Sequence, residues 1–561
     1  WVAVLGHLYS PNEERGVFMT EDGGLSWKHT LKVDQLTGAV DLIGDPSSPQ
    51  ILYAATWTKS REAWDFVESG KGSAIHKSTD GGTSWTKVLY VDQNTGASSL
   101  SMDFNNPRIL YAAMWEYRRL PWQVQSGGAG CGIWKSVDGG DTWAKINNGL
   151  PAEMGKIGVS VSRANSERVF AIVEAEKSVA GVYRSDNGGE TWAHMTNNQL
   201  LTSRSWYYME VEADPVNADV VYVLNSPLTK SIDGGKNFTV VAVRHIDTHD
   251  LWINPNNPSN MILGDDGGAE ITYDAGKSWS TQDNQPSAQF YRVNVDAGFP
   301  YKLYAGQQDN TSLVIASRNN YIGLTDKDWF IGPGCESAFI AFDPNNPVLL
   351  YGGCYQGLID VMDTQHGHTK DIRQYPSNIL AYDAKDMRYR FNWNAPVIAS
   401  PHDYNTIYHG GNVLFKTTDG GMSWEEISPD LTRNEESKQG PGGAPITNEG
   451  AGGENYNTLS YVIESIHEKG VIYTGSDCGL VHITKDGGKT WENITPAGLP
   501  ESLIQSIEVS PHEKGTAYVA ATRYKFNDFS NMSFKTIDYG KTWTKIVTGT
   551  LKSLKSVISI V

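Results

Sequence analysis

Apolar residues along this chain fall in short alternating runs, separated by Asp-Pro, Asn-Pro and Gly-Gly punctuation, and the 3.6-residue period of an amphipathic helix is scarce. One unit reads Ala39-Val40-Asp41-Leu42-Ile43, a tight turn at Asp45-Pro46, a second run Ile51-Leu52-Tyr53-Ala54-Ala55, and a variable loop. A third run, Ser73-Ala74-Ile75-His76-Lys77, follows, then a turn at Asp80 and a fourth strand after Trp85. The next unit nearly copies it, with Asn105-Asn106-Pro107 as the tight turn and Ile109-Leu110-Tyr111-Ala112-Ala113 as the second run. Four antiparallel strands in units of about 40 to 60 residues predict the blades of a β-propeller.

The turn before each fourth strand has its own signature. A hydroxyl residue is followed two positions on by Asp or Asn, then by glycine and an aromatic, as in Thr20-Glu21-Asp22-Gly23-Gly24-Leu25-Ser26-Trp27. Copies centre on Asp22, Asp80, Asp138, Asn187, Asp233, Asp274, Asp419, Asp486 and Asp538. The carboxylate is expected to bind backbone amides ahead of it, glycine to supply positive φ, and the aromatic to insert under the turn.

The copies lie 41 to 67 residues apart except for 145 between Asp274 and Asp419. That gap holds two blades without the signature, opened by Gln289-Phe290-Tyr291-Arg292-Val293 and Ala338-Phe339-Ile340-Ala341-Phe342. About eleven blades result, the first lacking its innermost strand. Rings usually hold about four to eight blades, so the expectation is an all-β chain of tandem β-propellers, residues 1–285 and 286–561, of the seven-bladed type with truncated ends. One oversized ring is the alternative, closed by the tail Ser556-Val557-Ile558-Ser559-Ile560-Val561.

Charge narrows the partners. The 46 basic against 64 acidic residues give −18, which argues against nucleic acid and anionic membrane surfaces. No apolar run is long enough to span a bilayer. No signal peptide is visible, and Trp1-Val2-Ala3-Val4-Leu5 looks like the middle of a repeat. Of four cysteines, Cys335 and Cys354 are close enough for one bridge, but buried free thiols are the expectation for Cys131, Cys335, Cys354 and Cys478.

Propeller geometry sends the aspartate turns to one face and the loops between second and third strands to the other, where function is expected. Two such loops carry Trp57 and Trp64, and Trp115 and Trp122, suited to stacking on a sugar or gripping a peptide; burial of the same rings is the competing expectation. Starts of inner strands add Arg204, Trp206, Tyr207, Tyr208 and Glu210; Glu336 and Ser337; Arg390, Asn392 and Trp393; Asn455 and Tyr456. His245, Asp247 and His249 invite a metal, yet residues four apart in a strand sit about 13 Å apart, so a polar network is favoured. No cofactor is called for. The Gly-rich stretch from Gln439 to Gly453 reads as a rim or lid loop.

The repeated turns resemble the Asp-box (BNR) repeats of sialidases, of the ten-bladed sortilin domain and of tandem seven-bladed xyloglucanases. Leu5-Gly6-His7-Leu8-Tyr9-Ser10-Pro11-Asn12-Glu13-Glu14-Arg15-Gly16, His249-Asp250-Leu251-Trp252, Gly306-Gln307-Gln308-Asp309-Asn310 and Ser428-Pro429-Asp430-Leu431-Thr432 resemble large bacterial proteins of the sortilin-N-terminal-like, "BNR-repeat glycosyl hydrolase" family. Against that family the chain begins one or two blades late and stops early. The resemblance implies a secreted or periplasmic protein. Its xyloglucanase branch, with substrate between the rings, implies Asp247, Asp250, Asp309 and Glu336 as candidate carboxylates. The arginine triad and Tyr/Glu pair of a sialidase have no matching positions. The leading expectation is a scaffold that binds a peptide, protein or glycan; a glycoside hydrolase and a structural unit of an extracellular assembly are the alternatives.

Overall fold

The computed structural model describes residues 1–546 apart from 8, 10, 62–65, 121–122, 286, 377–383, 440–443, 446–454 and 527. Trp64, Trp122, the tail 556–561 and most of the Gly-rich stretch therefore lie outside the described residues. Within them the protein is all-β, with only short 3-10 turns between strands, and no helix is long and apolar enough to cross a membrane.

Eleven antiparallel sheets follow one another along the chain, numbered here sheet 1 to sheet 11. Their first strands are Val2–Val4, Thr37–Gly44, Thr95–Met102, Ile157–Val161, Glu210–Ala213, Thr248–Ile253, Phe290–Val295, Ile340–Ala341, Val397–Ser400, Leu459–Glu464 and Leu503–Val509. Nine are four-stranded at their core; sheets 1 and 6 have three strands. In sheet 1 Val2–Val4 pairs with Gly16–Met19, which pairs with Lys28–Leu31 across the aspartate turn. In sheet 6 the fourth strand shrinks to one bond, Ser280 N to Ile271 O at 2.9 Å. Sheets 7 and 8 open where the long gap between signatures predicts them. This is the tandem β-propeller architecture. The chain forms two compact units, Trp1–Pro286 with Gly443–Glu449, and Ser287–Gly442 with Gly450–Val561. Unit 1 holds sheets 1 to 6 and unit 2 sheets 7 to 11.

The core lies between sheets. Tyr53, Ala55 and Ile75 of sheet 2 pack on Leu100, Met102, Leu110 and Met114 of sheet 3, and Phe170, Ile172 and Val182 of sheet 4 pack on Val211, Val221 and Val223 of sheet 5. Period-2 alternation supplies one such row to each face of a blade.

All nine aspartate turns share one bonding pattern. At Asp80, Ser78 Oγ donates to Oδ1 at 2.8 Å and accepts from Gly82 N at 2.8 Å. Ser84 N donates to Oδ1 at 2.9 Å and Ser84 Oγ to Oδ2 at 2.6 Å. Gly81 and Gly82 take φ of 72° and 86°; at Asp274 and Asp538, Ala275 and Tyr539 hold the first of these left-handed positions at 62° and 63°. The turns also stitch neighbours. Tyr53 Oη donates to Gly139 O at 2.8 Å and Tyr111 Oη to Gly188 O at 3.0 Å, each reaching the turn of the next sheet. The indoles of Trp192, Trp424, Trp491 and Trp543 reach the other way, to Ile146, Ile372, Ile427 and Ile494 O at 2.7, 2.7, 2.8 and 2.6 Å. Insertion under the turn describes Trp85 and Trp143, which donate to Gly82 O and Gly140 O, better than these four.

One expectation is overturned. Cys335 and Cys354 form a disulfide, with Cα atoms 5.1 Å apart. They flank the first two strands of sheet 8, and the Ile340–Gly352 pairing brings the two flanks together. Cys131 and Cys478 remain free and buried.

The hydroxyl four residues on, with its own amide, holds the carboxylates of Asp22, Asp80, Asp274, Asp419, Asp486 and Asp538 down at about 2. A depressed folded pKa gives stability that is present above the unfolded value near 4 and is lost as pH falls through about 2. Thermal midpoints should therefore drop between about pH 4 and pH 2. The turn at Asn187 already works with an amide, Thr191 N donating to Oδ1 at 3.0 Å and Nδ2 donating to Thr191 Oγ1 at 2.9 Å. Asp138→Asn should thus retain the neutral-pH midpoint and Asp138→Ala lower it, while Tyr111→Phe should cost about 0.5–1.5 kcal/mol in urea unfolding.

Candidate functional site

The face opposite the aspartate turns carries the unrepeated residues. In unit 1, a 3-10 turn at Gln199–Thr202 leads into Arg204 to Tyr208 ahead of sheet 5. Buried Asn225 fixes this segment: its Nδ2 donates to Leu201 O and Tyr208 O at 3.2 and 3.3 Å, and its Oδ1 accepts from Ser203 Oγ at 2.8 Å. Before the first strand of sheet 6, Asp247 sits at φ 65°, with its N donating to Ser226 O at 2.7 Å. The two segments meet. Tyr208 Oη donates to the Asp247 carboxylate, Arg204 Nη1 donates to Tyr208 Oη at 3.3 Å and lies 3.7 Å from Asp247 Oδ2. The Arg204 guanidinium stands over Tyr207 and Tyr208 at 5.2 and 5.5 Å. His249 packs edge-on to both rings and pairs through Nε2 with Asp266 Oδ1 at 2.6 Å. Tyr207 is 42 % exposed, whereas Trp206 and Tyr208 are buried.

His245, Asp247 and His249 do not gather into a metal site. His245 Nδ1 engages Ile246 O at 2.9 Å, the other two have the partners just given, and no group of three or more ligating side chains among the described residues could hold an ion. Only His249 lies on the strand Thr248–Ile253, while His245 and Asp247 sit in the bend before it.

The tryptophan loops are corrected more sharply. Trp57 and Trp115 are each 6 % exposed; Trp57 donates to Glu68 O, Trp115 donates to Ser126 Oγ at 2.9 Å, and the two rings lie 6.0 Å apart. Trp115 also stacks on Tyr117 at 3.9 Å. The loops form β extensions that pair with one another at Arg119 and Phe66, so these rings seal a local core.

Below this mouth, first strands of unit 1 turn acids toward a common axis. Asp41, Glu210, Glu212 and Asp250 come from first strands of sheets 2, 5 and 6, and the charge of Asp250 adds to the raised pKa of the other three. Lys156 Nζ lies 3.4 Å from Glu210 Oε1, whose side chain is 30 % exposed. Burial is the leading cause that pushes Asp41 up to about 6 and Glu210 and Glu212 up to about 7.

Unit 2 builds its mouth from sheets 7 to 10. Glu336 Oε2 accepts from Asp309 N at 2.6 Å and from Gln308 Nε2 at 3.0 Å, and the same amide donates to Asp309 Oδ1 at 2.8 Å. Tyr291 Oη donates to Gln308 Oε1 and accepts from Trp393 Nε1 at 3.1 Å. Trp393 stacks on Tyr355 with centroids 4.7 Å apart and planes 11° off parallel. The Cys335–Cys354 bridge joins the residues adjacent to Glu336 and Tyr355 and so fixes both. Asn392 Nδ2 donates to Thr458 Oγ1 and Asp477 Oδ2 at 3.0 and 3.3 Å, and Arg390 Nη2 pairs with Asp430 Oδ2 at 2.7 Å. Tyr456 donates to Glu501, Asn455 is buried, and Asn394 Nδ2 donates to Ser337 O at 2.9 Å.

Backbone strain marks the same face. Apart from Ala275 and Tyr539, the non-glycine residues with positive φ among the described residues are Asp247, Asp309, Thr311, Gln356, Asn434 and Asn457, all in loops away from the aspartate turns. Such conformations cost about 1–3 kcal/mol each and concentrate at functional sites.

No protein-family model matches the chain, and no curated protein does. Among solved structures it is similar to a GH74 enzyme from Niastella koreensis at 16 % identity and TM-score 0.40, over 91 % of this chain and 85 % of that one. It is also similar to the GH74 xyloglucanase from Xanthomonas campestris at 14 % and 0.37, over 96 % and 91 %. A third, YCF48 bound to D1 peptide, gives 10 % and 0.21, over 65 % and 90 %. None of these likenesses carries an activity over to this chain.

Carboxyls raised in the folded state bind protons more tightly there, so their contribution is fullest below about pH 4 and is lost as pH rises through about 7. Glu212→Gln should flatten the decline in thermal midpoint between pH 5 and 8. An unchanged slope would show that Glu212 does not titrate in that range.

Proposed function

We propose that the chain is a ligand-binding β-propeller protein that takes a glycan on the face opposite its aspartate turns, with residues 1–285 and 286–561 as its two domains. The observation that carries this reading is the coincidence on one face of three independent features: unrepeated aromatic and hydrogen-bonding side chains, strained non-glycine backbone, and a disulfide that braces Glu336 and Tyr355. A parallel Tyr355–Trp393 pair beside Glu336, Asn392 and Gln308 suits a sugar ring, which presents a flat apolar face for stacking and hydroxyls for amides and carboxylates. Arg204, Tyr207 and His249 supply a second such set in unit 1. The disulfide also supports an oxidising, secreted or periplasmic setting.

One observation favours a second reading. Gln308 Nε2 bridges the carboxylates of Asp309 and Glu336, and paired carboxylates are what glycoside hydrolysis requires. Titration calorimetry against plant and microbial polysaccharides and oligosaccharides separates the readings. Binding without turnover is expected, weakened at least about tenfold by Trp393→Ala, the loss of one aromatic anchor. Release of reducing ends by the wild type, abolished in Glu336→Gln, would make the protein a hydrolase instead. Binding of peptides but no glycan would reject the sugar assignment.

A further inference from the structure

Sheet 7 runs through the strands Phe290–Val295, Lys302–Gln307, Ser312–Ala316 and Trp329–Ile331. One of its faces is packed as a blade face should be. Tyr304 and Val314 point to sheet 8 and pack there on Ile340, Phe342 and Leu350, with the Tyr304 and Phe342 rings 4.1 Å apart. Residues directly opposite one another in an antiparallel sheet share a face, and period 2 separates the two faces. The register therefore fixes what the other side presents.

That side is apolar across all four strands. One rung reads Val293, Ala305, Leu313 and Ile331, and the next reads Val295, Leu303, Ile315 and Trp329. Neither rung holds a charged or polar side chain. Val293, Val295, Trp329 and Ile331 are 43 to 57 % exposed, whereas Tyr304 and Val314 on the opposite face are buried. Loops at one end of the sheet add to this surface. Phe299, between the first two strands, and Tyr321 and Ile322, between the last two, stand almost fully open to solvent. The loop tips are held in place: Asn319 Nδ2 donates to Gly323 O at 2.9 Å and to Asp328 Oδ2 at 2.7 Å, Asn319 Oδ1 accepts from Tyr321 N at 2.8 Å, and the Arg318 guanidinium lies 4.7 Å over the Phe299 ring.

Area and charge identify the occupant. Half-exposed aliphatic and aromatic side chains leave roughly 80–100 Å² each to water, so the face offers about 500 Å², and about 1,000 Å² with the loop tips. The largest apolar patch on a typical monomer is about 300–600 Å², and a stable interface takes about 800 Å² from each partner. This face is a sheet surface rather than the cleft that a small molecule needs, and it suits the face of a second sheet packed about 10 Å away. The partner sheet must itself leave an uncharged apolar face open. A second copy of this chain supplies one by construction. Its formal charge of −18 opposes self-association wherever the surface is acidic, and the two rungs carry none of that charge.

We propose that the open face of sheet 7 is a self-association surface, through which two copies of the chain pair face to face about a two-fold axis, with Val293, Val295, Trp329 and Ile331 of one protomer against the same face of its partner. The pairing does not depend on what either mouth binds.

Sedimentation velocity across the micromolar range tests this, with thermal melts to confirm that each variant folds. The wild type should pass from monomer to dimer as concentration rises. Ile331→Lys and Trp329→Lys should each weaken dimerisation at least about tenfold, because each would bury an unpaired charge, and should keep the wild-type melting transition. Trp252→Lys, at another exposed tryptophan on sheet 6, should leave the dimer intact. A thiol placed by Ile331→Cys should react with a soluble reagent in dilute monomer and be protected in concentrated protein, against the buried background of Cys131 and Cys478. A protein that stays monomeric throughout, a dimer that survives both sheet 7 lysines, or a dimer abolished by Trp252→Lys instead would overturn the proposal. So would an Ile331→Cys thiol that is protected in the monomer, which would place the cover within the chain itself.

Discussion

The carboxylate of each aspartate turn is the interaction on which the rest of this molecule depends. At Asp138 Oδ1 accepts from a hydroxyl two residues back and from an amide four residues on, and Oδ2 accepts from the Thr142 hydroxyl; at Asp233 the last donor is the Asn237 amide, and at Asn187 the bond to Thr191 Oγ1 runs the other way. One side chain thereby closes a hairpin that two left-handed residues would otherwise leave underbonded. At Asp138 and Asn187 a turn carbonyl receives a tyrosine hydroxyl from the preceding sheet, and at four turns the indole reaches back to that sheet. A motif that looks like local turn chemistry is also the seam between blades. Because it recurs at one end of nine of the eleven blades, stability is concentrated there and the opposite end is released from it.

That release explains the chemistry of the other face. Loops between second and third strands, and between one blade and the next, carry no shared sequence, and they hold the strained residues Asp247, Asp309, Gln356 and Asn457. First strands carry acids whose pKa burial raises, Asp41, Glu210 and Glu212 in unit 1 and Glu508 in unit 2. Function on such a scaffold resides in what each lumen and mouth presents, and the blades keep those groups in place.

The blade pattern was legible because it is periodic. Nine signatures, strand alternation and the 145-residue gap placed eleven sheets, including the two without a signature, since every blade must bury both faces. The site was legible only in part. Arg204, Tyr208, Asp247, Glu336 and Trp393 stand at starts of inner strands, a position readable from the repeat, and the structure places them in the two mouths. For Trp57 and Trp115 the sequence leaves exposure and burial both open, because nothing in a loop's composition tells whether it folds back on itself, and the structure buries them. The Cys335–Cys354 bridge depended on the register of sheet 8, which spacing alone does not give. Asp266, Tyr291, Gln308, Tyr355 and Asp477 join the sites through partners 17 to 102 residues away, a distance local sequence does not encode. Asp41 and the pair Glu210 and Glu212 did leave a signal: acids on the inward face of otherwise apolar first strands.

The division of labour between the two faces is the central claim, and hydrogen–deuterium exchange with and without a bound oligosaccharide tests it most directly. The account predicts that ligand slows exchange at segments 204–210, 245–250, 308–312, 335–337, 354–357 and 391–394, while amides of the nine aspartate turns keep their rates. Protection confined to the aspartate turns, with those segments unchanged, would contradict it.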